Sequence, residues 1–320
     1  MAHKKQIKQK SNKKRIRVFF IIAAMASLVA FNFWNKKSNN TVVKYPAGPA
    51  NYCKAAPQFI QKYGIRAPWA IDLTQSKFTG LRIIEYRENG KTLQLPTWDD
   101  AGNLVSYAVD KKGNIYLTPA PYVSLFKNPP LEQNNVYIVD SKTGVMSAFI
   151  NLPNAATITS ENPFGSIGLA YDCNHECLYV STLAGSTYEN EAGTIYQIDI
   201  KTKKIVDEIS GIDALGLTLF NSPDGKRLYY GAARESAIYA IALDQDGNFD
   251  GQPEYAFSLL NQKGGGLDKG VRLQIKSDNS MQIKAMEFSY SLMASSDPLR
   301  NVYTFDFSHN TWRFREMHKQ

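Results

Sequence analysis

From Trp69 to the end of the chain, apolar residues occur in short runs that are typical of β-strands. The runs are rich in Ile, Val, Tyr and Phe, and clusters of Gly, Asn, Asp, Ser and Pro separate them. Helical periodicity is almost absent from this part of the chain. The pattern predicts an all-β domain whose strands follow one another through short turns.

The predicted strands form a repeating unit. An aliphatic residue and a Tyr follow a polar turn in GNIYLT, ECLYVST and KRLYYGA, and a second set of strands begins NNVYIVD, GTIYQID, SAIYAIALD and RNVYTFD. Runs such as GLAYD and GLTLF precede two members of the first set, and a further strand follows each member of the second. The unit therefore has four strands and recurs every 43 to 64 residues. Four-stranded units repeated at about this length are blades of a β-propeller.

The spacing of the unit sets the expected number of blades. Four blades are legible in the sequence, at residues 100–150, 165–210, 213–259 and 267–314, and residues 69–96 supply strands for one more. We therefore predict five or six four-stranded blades and favour six, with a mixed blade that closes the ring. A β-sandwich is disfavoured because sandwiches do not repeat a four-strand unit in sequence.

The N-terminal region has the pattern of a membrane anchor. An apolar stretch of 17 residues follows eight basic residues and precedes Lys36 and Lys37. This charge asymmetry predicts a cytoplasmic N-terminus and a propeller on the periplasmic or extracellular side of the cell membrane. Cleavage of the stretch as a signal peptide stays open, since AMA at residues 24–26 fits a cleavage site, and it would make the protein secreted. The predicted parts are a basic tail (1–17), a transmembrane signal anchor (18–34), a linker (35–67) and the propeller (68–320).

The net charge of +8 belongs to the N-terminal tail. Ten of the 37 Lys and Arg residues lie in residues 1–37, which contain no Asp or Glu. The remaining 283 residues carry 27 basic and 29 acidic side chains. The predicted propeller thus has no overall charge that would attract a nucleic acid, and we expect no nucleic-acid partner.

The chain has three cysteines. Cys173 and Cys177 lie close together in DCNHEC, and outside the cytoplasm we expect them to form a disulfide across a turn, leaving Cys53 unpaired. The alternative is a metal site that includes His175. A structural zinc site needs four ligands, and no second Cys or His pair completes it, so we expect no metal here.

The blades resemble those of known propeller families. SPDGKRLYYGA followed by SAIYAIALDQDGNFDGQPEYAF resembles the six-bladed propellers that include gluconolactonases, strictosidine-synthase-like proteins and calcium-dependent phosphotriesterases. DALGLTLFNSPDGKRLYYGA, and DCNHECLYV followed by GTIYQID, are similar to the major royal jelly and yellow protein family. The resemblance covers about residues 100–259 and implies the propeller fold.

The resemblance does not extend to the calcium site of the gluconolactonase-like enzymes. Leu215 stands where those enzymes have an Asn ligand and Ala232 where they have an Asp, and the sister strands have Pro119 and Thr182 at that position. A calcium site needs oxygen ligands that include carboxylates, which these side chains lack. The hydrolase mechanism of those enzymes is therefore not implied here.

Two loops carry the charged residues that we expect on one rim of the propeller. The loop STYENEAG is longer than the repeat requires, and the equivalent loop of the next blade contains an Arg-Glu pair. Long loops on a rigid scaffold often bind ligands, although a solvated polar loop is the simpler interpretation. The predicted ligand-binding residues of the rim are Glu189, Glu191, Arg234 and Glu235.

Two functions fit the sequence. The first is a membrane-anchored extracytoplasmic binding or scaffold module for a protein, glycan or small-molecule ligand, with no cofactor. The second is a lactonase- or phosphotriesterase-like hydrolase with a displaced metal site. Calcium is the candidate metal for this second function. No catalytic residue can be assigned from a motif. The second function requires an acidic cluster at the central channel, and its candidates are Asp72, Asp100, Asp172 and Asp213.

Overall fold

The computed structural model describes residues 46–319, except residues 75–77, 122–131, 154–158, 160, 261, 263–266 and 292–299. The predicted tail (1–17) and anchor (18–34) lie outside the described residues. The described ranges contain no helix with the length and apolar character of a membrane span.

The strands form five antiparallel sheets, and consecutive strands form the blade in each of them. One sheet has an additional short strand, β1 (Gly48–Pro49), from the segment before the first blade. Blade 1 contains β2 (Trp69–Asp72), β3 (Arg82–Glu85) and β4 (Thr92–Leu93). Blade 2 contains β5 (Leu104–Val109), β6 (Ile115–Pro119), β7 (Asn135–Val139) and β8 (Met146–Asn151). Blade 3 contains β9 (Ser166–Asp172), β10 (Cys177–Thr182), β11 (Thr194–Asp199) and β12 (Lys204–Ser210). Blade 4 contains β13 (Ala214–Ser222), β14 (Gly225–Ala232), β15 (Ala237–Leu243) and β16 (Glu254–Ser258). Blade 5 contains β17 (Lys269–Ile275), β18 (Met281–Met286), β19 (Asn301–Ser308) and β20 (Thr311–Lys319).

The predicted all-β propeller is confirmed, and it has five blades. The preference for six blades is wrong. Residues 69–96 form a three-stranded sheet of their own, and β20 is the outermost strand of the fifth sheet, so none of the described strands remains for a mixed closing blade. The repeat in the sequence describes the strands within one blade. It carries no information on how many blades close the ring.

The first strand of each blade lies at the centre of the ring, since β5, β9 and β13 each contact the first strand of the next blade. Successive side chains of a strand point to opposite faces, so each blade can pack against both neighbours. In β9, Leu169 and Tyr171 pack with blade 2, and Ala170 packs with blade 4. Buried apolar clusters of this kind join blades 1 and 2, 2 and 3, 3 and 4, and 4 and 5.

We call the face that carries the turns between first and second strands the bottom face, and the opposite one the top face. At the top, the central strands approach each other so closely that they need glycine. A Cβ on Gly168 would lie 2.3 Å from the carbonyl oxygen of Leu215, and one on Gly216 would lie 2.8 Å from backbone atoms of Arg272. These glycines are the first residues of the GLAYD and GLTLF runs. The close approach of the central strands therefore explains why both runs begin with Gly.

Replacing Gly168 with Ala should lower the free energy of unfolding by about 2 kcal/mol, because the new methyl group overpacks a backbone that other strands hold in place. Denaturant unfolding measures this loss. Gly211→Ala is the matched control, since Gly211 has a φ of +77° but no atom within 4 Å of its Cβ position. The control should lose about 1 kcal/mol from backbone strain alone. Equal losses in the two variants would contradict the close approach.

The segment before blade 1 crosses the bottom face. Its short strand β1 (Gly48–Pro49) pairs with β13 of blade 4. The N–H of Cys173 in blade 3 then donates to the Ala50 carbonyl at 3.0 Å, and the N–H of Ala55 donates to the Asp110 carbonyl of blade 2 at 3.1 Å. The segment therefore contacts three blades in succession.

The same segment continues into a short helix, α1 (Phe59–Lys62), whose Phe59 and Ile60 are buried beside blades 1 and 2. A 3-10 turn (Pro96–Trp98) packs Trp98 edge-on against Phe59, with ring centroids 5.7 Å apart. Residues 46–67, predicted as part of a linker, therefore belong to the propeller domain. The sequence misled because this segment extends along the bottom face without alternating polar and apolar residues.

The disulfide joins Cys53 to Cys173, and the predicted Cys173–Cys177 bridge is wrong. Cys173 packs on the side of blade 3 that faces blade 2, whereas Cys177 at the start of β10 packs on the side that faces blade 4. Two side chains on opposite faces of one sheet cannot meet. Cys177 is a free, buried thiol, and burial raises its pKa to about 12.

Candidate functional site

A cavity of about 390 Å³ lies on the propeller axis. Its walls come from β2, β5, β9, β13 and β17, so all five blades contribute, and its floor is formed by Asn51, Lys54, Ala55 and Ala56. At the top, Leu215 and Ile167 belong to an apolar cluster with Leu183, Ala233 and Tyr290. A concave site that is mostly apolar and has a few convergent polar groups is a place to expect a ligand.

The cavity wall combines aromatic, polar and basic side chains. Trp69 and Tyr107 supply aromatic surface, Thr218 and Gln274 supply hydrogen-bonding groups, and Arg272 supplies a positive charge. Asn51 and Lys54 come from the floor. Among the described residues that line the cavity, none is Asp or Glu.

Arg272 reaches across the cavity from blade 5 to blade 2. Its guanidinium lies over the ring of Tyr107, 4.7 Å from the ring centroid. This is a cation–π contact that leaves the N–H groups of the guanidinium free to donate. No carboxylate among the described residues forms an ion pair with Arg272.

At the top face, Asp213 lies at the centre of a hydrogen-bond network. Its Oδ1 accepts from the Ser186 hydroxyl and, at 3.0 Å, from the N–H of Gly193. Its Oδ2 accepts from the Tyr290 hydroxyl and, at 3.3 Å, from Nε of Arg234. Four donors use the four lone pairs of a carboxylate, so Asp213 has no capacity left for a metal or substrate. It ties together the upper loops of blades 3, 4 and 5.

Arg234 is committed to the same network. Its Nη1 and Nη2 donate to the carbonyls of Tyr188 and Thr187 at 2.8 and 2.6 Å, and its Nε lies 3.6 Å from Glu191. The structure thus brings Arg234 and Glu191 together, as the sequence predicts.

The other two rim residues are placed differently. Glu235 accepts from the Tyr239 hydroxyl, whose pKa this hydrogen bond raises to about 12. Glu189 is exposed, and its backbone N–H donates to Thr187 Oγ1. Ligand binding by the four rim residues stays a prediction.

A buried ion pair joins blades 3 and 4 near the bottom face. Nζ of Lys226 lies 2.7 and 2.6 Å from the two carboxylate oxygens of Asp172, and both side chains are at most 3% exposed. His175 Nδ1 lies 2.7 Å from Asp172, and its Nε2 lies 2.8 Å from the carbonyl of Gln245. Both ring nitrogens therefore face acceptors, which favours the doubly protonated imidazolium.

This Asp-His-Lys cluster resembles a catalytic arrangement, but its groups bind each other. The thiol of Cys177, beside it in sequence, has its pKa raised by burial and is a poor nucleophile. We interpret the cluster as an interaction that holds blades 3 and 4 together, and we call it the lock.

The lock also contacts the turn after β15, where Asp244 Oδ1 accepts from the N–H groups of Asp246 and Asn248. The segment DQDGNFDG (residues 244–251) thus begins with a hairpin turn.

The lock should make stability depend on pH. The hydrogen bond to Asp172 raises the pKa of His175 above its ordinary value, while burial and Lys226 oppose the shift. The stabilisation from His175 is therefore complete below the unfolded-state pKa of about 6.5 and is lost as pH rises through the higher folded-state pKa. Urea unfolding at a series of pH values from about 5 upward, starting below the unfolded-state pKa, should show wild type losing its advantage over His175→Gln as pH rises. A constant difference would contradict the shift.

The four acidic candidates do not meet at the channel. Asp172 is in the bottom lock, and Asp213 is in the top network. Asp72 accepts from the N–H of Thr74 at 2.9 Å, and Asp100 is exposed. None of the four lines the axial cavity. The described structure thus does not bring the four candidates together, as the hydrolase hypothesis requires, and across the described ranges no group of three or more His, Cys, Asp or Glu is placed to hold a metal ion.

The sequence did not single out Arg272, the main charged group of the cavity. It stands in GVRLQIK, where alternation places Arg272 and Gln274 on one face of β17, and Lys276 directly follows the strand. A polar face on the innermost strand of a blade is unusual because that strand normally packs on both sides. This was the available signal.

No protein-family model and no curated protein matches the chain. Among solved structures, a nidogen/laminin complex is 10% identical and covers 78% of both chains with a TM-score of 0.42. A functionally unknown protein from Desulfotomaculum acetoxidans is 10% identical and covers 79% of both chains with a TM-score of 0.41. The apo soluble aldose sugar dehydrogenase from Escherichia coli is 10% identical and covers 76% of this chain and 83% of its own, with a TM-score of 0.37. At this level of similarity, none of these proteins indicates a ligand or an activity for this chain.

Proposed function

We propose that this protein is a membrane-anchored extracytoplasmic β-propeller that acts as a binding or scaffold module, with a small ligand in the axial cavity. The cavity is the observation that carries the proposal. Its wall contains Arg272, whose donors are free within the described structure, and it receives residues from every blade. The buried carboxylates Asp172 and Asp213 are instead fully occupied by internal hydrogen bonds.

Two features support the extracytoplasmic location. Residues 18–34 are apolar and follow a block of basic residues, the charge arrangement of an anchor with a cytoplasmic N-terminus. The Cys53–Cys173 disulfide is of the kind that persists in an oxidising compartment. The cysteine pairing, revealed by the structure, is independent of the charge pattern.

Ligand binding can be tested by filling the cavity. Ala70 of β2 lines it, and Ala70→Phe would place a ring in the space that a ligand needs. We expect the full-length protein in detergent to be stabilised in thermal melts by members of a panel of neutral, anionic and cationic metabolites. Ala70→Phe should abolish that stabilisation.

Val206→Phe is the matched control, because Val206 is 53% exposed on the outermost strand of blade 3. It should respond to ligands like the wild type. Equal ligand responses in Ala70→Phe and wild type would place the ligand elsewhere, and no response of the wild type to any compound would overturn a small-molecule function.

Membrane anchoring is tested separately. After expression in a Gram-negative host, the protein should stay in the membrane fraction after alkaline carbonate extraction. Protease added to spheroplasts should digest the propeller domain. Recovery in the soluble fraction would contradict the anchor, and protection from the protease in intact spheroplasts would contradict the orientation.

A further inference from the structure

The interface between blades 5 and 1 differs from the other four. Each of those has a buried apolar cluster, whereas among the described residues no such cluster joins blade 5 to blade 1. One face of blade 5 carries Leu273, Ile275 and Ile283, which pack against blade 4. The opposite face points toward blade 1 and is polar.

Register shows what this polar face presents. Arg272 pairs with Lys284, and Gln274 pairs with Gln282, across β17 and β18. Directly paired residues of antiparallel strands point to the same side of a sheet. Since Arg272 and Gln274 line the axial cavity, the polar face of blade 5 continues outward from the cavity wall.

Blade 1 adds little negative charge to this interface. Its Trp69 and Ile71 pack with the apolar cluster shared with blade 2, so Ala70 and Asp72 point the other way. Asp72 pairs with Arg82 in register, and its carboxylate also accepts from Thr74. The acidic group of blade 1 on this side therefore has a basic neighbour on its own sheet.

The basic residues of this region interact with one another. The pKa of Lys276 is lowered by burial and then by the positive charges of Arg272 and Lys54. The pKa of Lys284 is lowered by burial and then by Arg272, Arg300 and Lys276. Asp278 opposes the shift of Lys276, but it also accepts hydrogen bonds from Ser280 and Arg315.

We propose that the cleft between blades 5 and 1, with the axial cavity, binds a small organic anion that carries at least two negative charges. Arg272 offers a planar pair of donors for a carboxylate or phosphate, and Lys284 and Lys54 supply further positive charge. Trp69 and Tyr107 line the same space, and its volume suits a small ligand. Several positive charges in a half-buried site repel each other, and a dianion relieves that repulsion better than a monoanion. This inference rests on the proposed function.

Isothermal titration calorimetry on the full-length protein in detergent at low ionic strength tests it. The probes are succinate for dicarboxylates, glycerol 3-phosphate for phosphate esters, and acetate as a monoanion. We expect succinate or glycerol 3-phosphate to bind, acetate to bind at least about tenfold more weakly, and added NaCl to weaken binding by screening. Binding of succinate alone, or of glycerol 3-phosphate alone, would identify the class.

Arg272→Gln and Lys284→Gln should each weaken binding of the dianion about tenfold or more. Arg227→Gln is the control, because Arg227 lies on blade 4 and pairs with Glu254. It should leave the dissociation constant unchanged. Without a dianion, Arg272→Gln should melt no lower than wild type, since it removes repulsion. A merely structural Arg272 would instead give a lower melting temperature with or without the anion.

Absence of binding by both dianions, or equal affinity in wild type and Arg272→Gln, would overturn the inference. The proposed function has a different failure. If neutral metabolites stabilise the wild type but not Ala70→Phe, and the dianions do not bind, the cavity is a ligand site of another chemistry. That result would support the proposed function and contradict the anion site.

Discussion

Replacing Cys53 with Ser is expected to lower the free energy of unfolding by about 5 kcal/mol. The bond links residues 120 positions apart, so it removes a large amount of conformational entropy from the unfolded chain. It also fixes the segment that closes the axial cavity from below. Urea unfolding under non-reducing conditions measures the loss, and reduction of the wild type should reproduce it.

Cys177→Ser is the control for this prediction, because Cys177 is buried but unpaired. It should cost no more than a typical core substitution of about 1 kcal/mol, and reduction should destabilise it as it does the wild type. If Cys53→Ser and wild type unfold at the same urea concentration, the segment is held by its backbone hydrogen bonds alone.

Asp213→Ala should be the most damaging substitution at the top face, with a loss of about 4 kcal/mol. The change leaves Arg234 without its buried carboxylate partner and removes the acceptor of Ser186, Gly193 and Tyr290. Unpaired buried donors each carry a desolvation penalty. Denaturant unfolding measures the total effect.

Limited proteolysis adds a local measurement to the Asp213 prediction. The loop 186–193 should be cut faster in Asp213→Ala, since Asp213 and Arg234 hold it. Asp224→Ala is the control, because the Asp224 carboxylate lies in an exposed contact with Asn310. A loss in Asp213→Ala no larger than in this control would show that the network does not stabilise the fold.

The repeat in the sequence predicts the blades well because a blade is a local structure. Its four strands are consecutive and pair through short turns, so alternation and turn residues mark them within a few positions. The number of blades is different. It depends on how the first and last blades meet, and no local pattern records that contact.

The candidate site was also predictable only in part, because its contacts join residues of different blades and no local pattern records them. Glu191 and Arg234 stand in equivalent loops of adjacent blades, so the repeat brings them together in sequence analysis as it does in the structure. The sequence suggested Asp213 only as an acidic candidate for the channel. Its place at the centre of the top network depends on donors that belong to three different blades. Arg272 was missed because its significance depends on the absence of an apolar partner in another blade.

The segment at the bottom face has a consequence for the order of folding. It precedes every blade in the chain, yet β1 pairs with Asn221 and Phe220, and Cys53 bonds Cys173. During synthesis from the N-terminus, these residues leave the ribosome long before their partners exist. They must therefore wait, unpaired, until blades 3 and 4 have been made, and contacts between such distant residues form slowly. The first part of the domain to be synthesised is thus among the last to reach its native place.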